Sequence, residues 1–527
     1  MADGTTPDPD RIDGRVALAL VAMGLSVFVI ANDFSALSVA LPEIEKEFDT
    51  DVSTVQWVIN AYALVFGVLI VTGGRLADLF GRRRIFFIGS AIFAGFSLLG
   101  GASQSIEWLI ATRAVMGIGG AMMWPAVLGM TFAALPPAKA GLAGGLILGV
   151  AGFGNAAGPL LGGFLTDALS WRWILYLNLP IALFACFMTW REIHQPPVET
   201  EDDRIDYAGV VTISTGLVAL LIALDEAPDS GWGAPLVLGC LAVSIASLTA
   251  FAVIERRAGA KALVPRDVMR NAEFRSTCVA TLLASATFFA ALLYLPQYMQ
   301  KILGYSPLEA GLGLLPMMAT FAATSFVAGS LYGRIGPKVL VSAGAAGIAL
   351  GALLLSFVER GTGYTAIVPG MFVVGLGVGL FYSAVTTAGV TALDASRASL
   401  AGGILYMFQV AGGSIGLGLT TTVFTSASQG RLTDDIASLQ LGLTGAETDA
   451  VQGVLAGTES AADVIASYPG EVADQVVSLV RDAFLDGLQW AFRLDAVLAL
   501  GGLVVSVLFV GGSVLASRRQ TAADPPA

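Results

Sequence analysis

Long apolar stretches recur along the whole chain and are separated by short polar connections. Each stretch has about 20 residues or more, the length at which an α-helix crosses roughly 30 Å of hydrocarbon. Strands of a membrane barrel would be shorter and would alternate in polarity, so the pattern predicts helices. Fourteen spans are predicted, at about 16–40, 54–77, 84–103, 107–133, 140–167, 171–190, 207–224, 233–254, 274–300, 309–332, 338–358, 364–390, 397–426 and 489–515.

Composition supports a membrane protein and excludes several other classes. Hydrophobic residues make up 55% of the 527-residue chain, charged residues 13%, and the mean hydropathy is +0.77. A soluble protein of this size could not bury so much apolar surface. The net charge of −12 and the absence of a basic patch exclude nucleic acid as a partner. Three cysteines and one histidine without metal-ligand spacing predict no metal site, no cofactor and no enzyme.

The distribution of Lys and Arg predicts the orientation of the chain. With both termini in the cytoplasm, 20 of the 28 basic residues fall in inside segments and seven in outside segments. The remaining one, Arg113, lies within a span. This asymmetry supports an even number of spans and a multi-pass location in the cell membrane.

An internal repeat relates the two ends of the chain. The segment Gly74–Gly81 (GRLADLFG) resembles Gly329–Gly336 (GSLYGRIG) at an offset of 255 residues. The sequence Leu-Ala-Gly-Gly at Leu142–Gly145 recurs at Leu400–Gly403 at an offset of 258. The alternative is chance similarity between glycine-rich spans. Repeats of this kind are typical of secondary transporters, whose halves move about a central site.

The repeat divides the chain into three parts. Residues 1–190 are predicted to form an N-terminal six-helix bundle, and residues 191–273 an inserted helix pair with cytoplasmic connections. Residues 274–527 are predicted to form a C-terminal six-helix bundle with an extracytoplasmic loop at 427–488. Apolar residues at every fourth position from Val472 to Leu488 predict a helix in this loop. It either leads into the last span or caps the outer surface.

Two charged residues lie deep within predicted spans. Asp33 is about eight residues from the outer end of the first span, or roughly 12 Å, and Arg113 is about six residues from the outer end of the fourth, or roughly 9 Å. At this shared depth the two are expected to pair and to take part in proton coupling. The alternatives are an Asp33 near enough to water to stay hydrated and an Arg113 satisfied by backbone carbonyls.

Two glycine-containing motifs are candidates for moving parts. Gly74, Asp78, Gly81, Arg82 and Arg83 lie in or beside the loop after the second span and could form a charged latch between helix ends, or simply fix topology. Another glycine face lies in the fifth span, where a proline also permits a kink, although such faces often serve packing alone. Its residues are Gly154, Gly158, Pro159, Gly162 and Gly163.

Uncharged polar and aromatic residues recur within the spans and are candidates for a substrate cavity that is mostly apolar with few polar groups. Packing and interface anchoring are the alternative for each of them. These residues are Asn60, Tyr62, Trp124, Asn155, Tyr294, Gln297 and Gln409.

Several of these motifs resemble the major facilitator superfamily, specifically its fourteen-helix drug–proton antiporter branch. Gly74–Arg84 is similar to the loop signature after helix 2, and Arg113 with Gly117 and Gly119 to the helix 4 signature. Gly154–Gly163 resembles the antiporter signature of helix 5. The Asp33–Pro42 segment resembles the helix 1 pattern of this branch, and the start of helix 6 also matches, at Trp171–Trp173 and Asn178–Pro180.

The resemblance implies an all-α membrane protein with two six-helix bundles plus two inserted helices. It also implies alternating access and the export of lipophilic small molecules, such as drugs, dyes or antibiotics, by inward proton flow. Asp33 and Arg113 would couple protons, the loop at Asp78 would gate, and the protein would act as a monomer in the bilayer. Lipid or glycolipid export is an alternative, and solute uptake a less favoured one.

The chain departs from the family pattern at several positions. Ser35 and Ser38 replace the usual Thr and Asn after Asp33. Gly333 stands where the repeat would place a second Asp78, and Met371 where it would place a second Arg113. Charge chemistry is therefore expected in the first half, and a second proton site is not expected in the second half.

Overall fold

The structure, a computed structural model, describes residues 14–50, 52–193, 206–258, 262–359, 361, 363–439 and 470–511. The described residues fold into α-helices and short 3-10 turns, with no strand among them. The helices are α1 (Gly14–Phe48), α2 (Val52–Phe80), α3 (Arg82–Gly101), α4 (Ile106–Ala134), α5 (Ala140–Ala168), α6 (Arg172–Glu192), α7 (Tyr207–Ser230), α8 (Pro235–Ala258), α9 (Arg266–Arg270), α10 (Ala272–Lys301), α11 (Pro307–Gly313), α12 (Leu315–Ile335), α13 (Pro337–Leu355), α14 (Tyr364–Thr391), α15 (Ala398–Leu439) and α16 (Gly470–Phe509).

Fourteen helical segments in the described part of the chain are long and apolar enough to cross a membrane. Helices α11 and α12 together form one of them, and α9 is a short connecting helix. The predicted all-α membrane fold with fourteen spans is confirmed. We call the surface that carries Gly81 and the beginning of α1 the basic side, and the surface at the end of α1 the opposite side.

The internal repeat is visible in how the helices pack. In the first half, α1 packs on α5 and α6, α2 packs on α4, and α3 packs on α4 and α6. In the second half, α10 packs on α15 and α16, α12 packs on α14, and α13 packs on α14 and α16. When α1–α6 are matched in order to α10 and α12–α16, the five packed helix pairs of the first half correspond to the five packed helix pairs of the second half.

The two halves meet along two seams. Helix α5 packs against α12 and α14, while α2 and α4 pack against α15. Glycines allow the first seam to be tight, because a Cβ on Gly145 would lie 2.9 Å from the Cα of Gly329. The inserted helices α7 and α8 pack on each other, and α7 also contacts α2 and α15, so it lies beside the second seam.

The segment 427–488, predicted as an extracytoplasmic loop with a helix at its end, is helical at both ends. Helix α15 continues to Leu439 and α16 begins at Gly470, so both helices extend past the predicted spans, and only residues 440–469 lie outside the described part. The helices α15 and α16 pack on each other, and apolar residues of both extensions, such as Leu432, Val476 and Leu479, are buried. The predicted apolar helix is therefore continuous with the last span, although the side chain of Val472 lies outside the described set.

Candidate functional site

Asp33 and Arg113 form a buried ion pair in the first half. Asp33 lies in α1 and Arg113 in α4, and Nη1 of Arg113 is 2.5 Å from Oδ2 of Asp33. Neither side chain has any exposed surface. The two alternatives considered from the sequence, a hydrated Asp33 and an Arg113 held by carbonyls alone, are therefore not observed.

The surroundings of Arg113 fix its position. Its Nε donates to the carbonyl oxygen of Val58 at 2.9 Å, and the guanidinium lies 4.5 Å from the ring centre of Tyr62. A cation over an aromatic face is stabilised by the ring quadrupole, most strongly where water is excluded. Its Nη2 and the hydroxyl of Tyr62 have no hydrogen-bond partner among the described residues. The guanidinium thus retains an unused donor beside an unused hydroxyl.

The other oxygen of Asp33 is held by Asn178 of α6. The side-chain amide of Asn178 donates to Oδ1 of Asp33 at 2.7 Å and to the hydroxyl of Ser97 at 3.0 Å. Ser97 in turn donates to the carbonyl oxygen of Leu175 at 2.7 Å. Sequence reasoning used Asn178 only as part of a motif and missed this contact, since a single amide in a span carries no strong signal.

This arrangement can exchange a proton for an ion pair. A buried carboxylate that is paired with a guanidinium and accepts a hydrogen bond from an amide is stable in a dry interior, whereas the protonated acid is neutral and binds the guanidinium less strongly. Protonation of Asp33 would therefore weaken the links from α1 to α4 and α6 at once. Because Asp33 binds both Arg113 of α4 and Asn178 of α6, one proton on its carboxylate would act on two helix contacts of α1.

Asp78 connects the two halves on the basic side. At the end of α2, its carboxylate accepts hydrogen bonds from the backbone N–H of Leu400 at 2.7 Å and of Ser399 at 3.3 Å, in the first turn of α15. A helix N-terminus carries unpaired N–H groups and a partial positive charge, so it suits a carboxylate. Gly74 allows this contact, because a Cβ there would lie 2.6 Å from the carbonyl oxygen of Ser399.

Arg82 extends the same connection. Its Nε is 3.1 Å from Asp78, while its two terminal nitrogens donate to the carbonyl oxygens of Gly129 at 3.0 Å and Ala395 at 2.5 Å. Gly81 turns the chain between α2 and α3 with a φ of 96°, which a glycine adopts without strain. These contacts connect the end of α2 with the beginning of α15, and Arg83 donates to the carbonyl oxygen of Trp190.

The turn that receives Arg82 is itself fixed by a capping residue. Asp394 accepts hydrogen bonds from the hydroxyl of Ser396 at 2.6 Å and from its backbone N–H at 2.9 Å. These bonds hold the pKa of Asp394 below its usual value, with the Ser396 hydroxyl as the largest cause. The carbonyl of Ala395 is consequently held in place for Arg82.

The glycine face of α5 packs directly on α1. A Cβ on Gly154 would meet Ala31, one on Gly158 would overlap the hydroxyl of Ser35, and one on Gly162 would overlap the carbonyl oxygen of Ala36. Small residues let two membrane helices approach closely. The other residues of the motif lie against α11, with Gly163 beside Leu308 and Pro159 beside Gly311.

The candidate cavity residues fall into two groups. Tyr62 and Trp124 are buried in the first half and are joined through Phe66, whose ring centre lies 5.8 Å from that of Tyr62 and 6.4 Å from that of Trp124. Tyr406 of α15 packs on Trp124 at 4.9 Å, so this group crosses between the halves.

The second group lies in the other half. Tyr294 of α10 is buried, donates to the hydroxyl of Thr421 at 2.8 Å and stacks near Phe424. The structure does not bring Tyr294 next to the first group. The remaining candidates are partly buried and lie in α2, α5, α10 and α15: Asn60, Asn155, Gln297 and Gln409.

Two repeats of six helices, an inserted helix pair and a charged connection between the halves define a helical membrane transporter rather than an enzyme. A family model described as "Major Facilitator Superfamily" matches residues 23–417 of this chain. The chain belongs to this superfamily, which confirms the resemblance seen in its motifs.

Similar proteins include several named for antibiotic resistance or export. The puromycin resistance protein pur8 of Streptomyces alboniger is 34% identical over 433 residues, covering 81% of this chain and 84% of that protein. The tetracenomycin C resistance and export protein of Streptomyces glaucescens is 29% identical over 499 residues, covering 94% and 91%. The cephamycin export protein CmcT of Amycolatopsis lactamdurans is 34% identical over 421 residues, covering 78% and 86%.

A solved structure supports the fold alone. The human organic anion transporter MFSD10 (TETRAN) aligns with a TM-score of 0.59, covering 95% of this chain and 100% of that chain, at 12% sequence identity. At this identity the likeness concerns the arrangement of helices.

Proposed function

We propose that this chain is a proton-coupled antiporter that exports lipophilic small molecules across the cell membrane by alternating access. The observation that carries the proposal is the fully buried pair of Asp33 and Arg113. An ionisable residue inside a membrane span is costly and marks a functional site by default. The relatives named for antibiotic resistance and export support small-molecule drugs or antibiotics as the cargo.

In this proposal Asp33 cycles between an ion pair and a protonated acid. The ionised carboxylate binds Arg113 and Asn178, and this state accompanies the closed connection on the basic side. A proton that reaches Asp33 releases Arg113. The Nη2 of Arg113 and the hydroxyl of Tyr62, which have no hydrogen-bond partner among the described residues, can then form new hydrogen bonds. The proton then leaves when the pair forms again, so one direction of the cycle carries protons and the other carries cargo.

The same proposal assigns the motifs to the movement of the halves. The basic side faces the cytoplasm, both termini lie there, and the contact of Asp78 with the first turn of α15 closes the transporter on that side. The glycine face of α5, with Pro159, lets α5 shift against α1 and α12 during exchange. The proposal also takes the protein to act as a monomer, which is supported by the presence of both halves and the ion pair within one chain.

Efflux of ethidium from energised cells tests the coupling. Wild-type efflux should collapse when a protonophore is added, and Asp33→Asn should abolish it, because the amide cannot carry a proton or pair with Arg113. The matched control is Asp167→Asn, an exposed acid near the end of α5, which should retain wild-type efflux. Surface amounts of each variant are measured on membranes from the same cells.

Two outcomes would contradict the proposal. Efflux that persists with protonophore and in Asp33→Asn would exclude proton coupling through this carboxylate. A wild-type protein that exports no dye but moves a fluorescent lipid between leaflets would replace small lipophilic drugs with lipid as the cargo.

A further inference from the structure

A second carboxylate is buried in the C-terminal half. Asp495 of α16 has no exposed surface. Its Oδ1 accepts a hydrogen bond from the hydroxyl of Thr420 of α15 at 2.7 Å, while its Oδ2 has no partner among the described residues. The backbone carbonyl of Asp495 accepts a hydrogen bond from the hydroxyl of Thr287 of α10 at 3.3 Å. The three helices α10, α15 and α16 therefore meet at this acid.

Among the residues that the structure describes, the neighbouring ionisable groups provide no cation for Asp495. Tyr294 is the titratable group that faces Asp495 from α10. Arg493 of α16 is directed elsewhere, since it donates to Gln489 and lies 4.8 Å from the ring centre of Trp490.

The other packed helices hold their charged groups at their ends. The one ionisable residue of α13, Lys338, packs beside Gly511, which is 16 residues beyond Asp495, or about 24 Å along a helix. On α15, the nearest ionisable residue toward the opposite side, Arg431, lies 11 residues beyond Thr420, or about 16 Å, and binds Asp435. Toward the basic side, Tyr406 lies 14 residues before Thr420, or about 21 Å.

The repeat places Asp495 at the equivalent of Asn178. Trp173 and Asn178 of α6 are five residues apart, and so are Trp490 and Asp495 of α16. Helices α6 and α16 occupy matching positions, because each packs on the first and third helices of its own half. Asn178 donates to Asp33, so Asp495 lies at the matching depth in the other half, where a carboxylate replaces the amide.

We propose that Asp495 is a second proton-binding site of this transporter, with Thr420 as its positioning residue. A charged carboxylate with one hydroxyl donor and no cation is disfavoured in a dry interior, so the neutral acid is the form that this conformation stabilises. Asp33 differs from Asp495, because its carboxylate is paired with the guanidinium of Arg113. One conformation therefore holds a carboxylate with a cationic partner in one half and a carboxylate without one in the other, and rocking of the halves would change the surroundings of both.

Protonation of Asp495 is testable without transport. Purified protein in detergent is titrated from about pH 5 to about pH 9, a range in which buried acids are documented to titrate, and the C=O stretch of carboxylic acids is followed by difference infrared spectroscopy. A titrating band that is present in wild type and Asp486→Asn but absent in Asp495→Asn supports the proposal. A band unchanged in Asp495→Asn overturns it. Thr420→Val should shift the titration of this band without removing it.

The role of Asp495 in transport rests on the proposed function. It is tested by measuring how many protons are exchanged for each dye molecule. In proteoliposomes clamped at zero membrane potential, the accumulation ratio of a neutral dye should change about 100-fold per pH unit with two protons and about tenfold with one. Asp495→Asn should show the smaller dependence, and Asp33→Asn none. Equal dependence in wild type and Asp495→Asn excludes Asp495 from coupling, and absence of wild-type transport instead refutes the proposed function while the infrared result stands.

Discussion

Asp78 and Leu400 are 322 residues apart in sequence, yet the carboxylate of Asp78 accepts a 2.7 Å hydrogen bond from the backbone N–H of Leu400. Asp78 lies near the end of α2 in the first half, and Leu400 lies in the first turn of α15 in the second half. A charge-assisted bond of this kind, reinforced by the helix dipole, is worth about 1.5–3 kcal/mol. The contact between the two halves on the basic side therefore includes charge-assisted hydrogen bonds that a conformational change can break.

Asp78→Asn should shift the protein toward a state that is open on the basic side. The amide keeps the shape but loses the charge that favours the N-terminus of α15, which we expect to cost about 1–2 kcal/mol and to change the ratio of states about five- to thirtyfold. Spin labels at the exposed positions Arg84 and Ala395 report the distance between the halves. Longer distances should become more populated in Asp78→Asn.

The matched control for this experiment is Asp267→Asn. Asp267 pairs with Arg397 near the same surface, but the carboxylate side chain is 66% exposed, and exposed ion pairs contribute little. Its distance distribution should equal that of the wild type. Equal distributions in Asp78→Asn and Asp267→Asn would show that Asp78 does not hold the halves together.

Gly158→Ala should destabilise the contact between α1 and α5. The added Cβ would overlap the hydroxyl of Ser35, and overpacking of this kind costs about 1–3 kcal/mol. Ser35→Gly in the same chain removes the nearest atoms and should recover part of the loss. Gly95→Ala, which adds its Cβ in open space on α3, should not lower the unfolding temperature in detergent. A Gly158→Ala protein as stable as wild type would contradict the close packing of these helices.

Arg113→Met should be strongly destabilising, whereas Asp33→Asn/Arg113→Met should recover much of the stability. Removing one member of a buried pair leaves the other charge without compensation and costs about 3–5 kcal/mol, but an uncharged pair avoids this cost. The defect of Arg113→Met should shrink as the pH falls, since protonation neutralises Asp33, while the double variant should show no such dependence. Thermal unfolding at several pH values measures both. A double variant no more stable than Arg113→Met would indicate that packing of the arginine, not its charge, is decisive.

The sequence was sufficient for the spans and for the central ion pair, because both follow from the cost of polar groups in hydrocarbon. Asp33 and Arg113 stand out as charges within apolar spans, and the rise of a helix places them at one depth. The contact of Asp78 with Leu400 could be anticipated only as a latch of unknown partner. Which helix terminus it reaches depends on how the two halves are assembled, and no local pattern records that.

The acid in the second half was missed for a different reason. Gly333 and Met371 replace the charges that the repeat would have predicted, so no second proton site was expected there. Asp495 nevertheless lies inside the predicted span 489–515, and the rule that identified Asp33 also applies to it. The substitution of a carboxylate at the equivalent of Asn178 becomes visible only when α6 and α16 are compared, and the repeat matches used earlier did not extend to those helices.

The extensions of α15 and α16 beyond the predicted spans provide the last prediction. Phe484 is buried between them, with its ring centre 5.2 Å from that of Phe424 and 5.8 Å from Nζ of Lys301. Phe484→Ala removes a large buried side chain, a change that typically costs about 3–5 kcal/mol, and the loss should be local because the spans below are held by other contacts. Amide hydrogen exchange should therefore rise in both extensions and stay unchanged in α1. The exposed change Gln475→Ala should alter neither region, and protection that persists in Phe484→Ala would show that the extensions are stabilised without this aromatic contact.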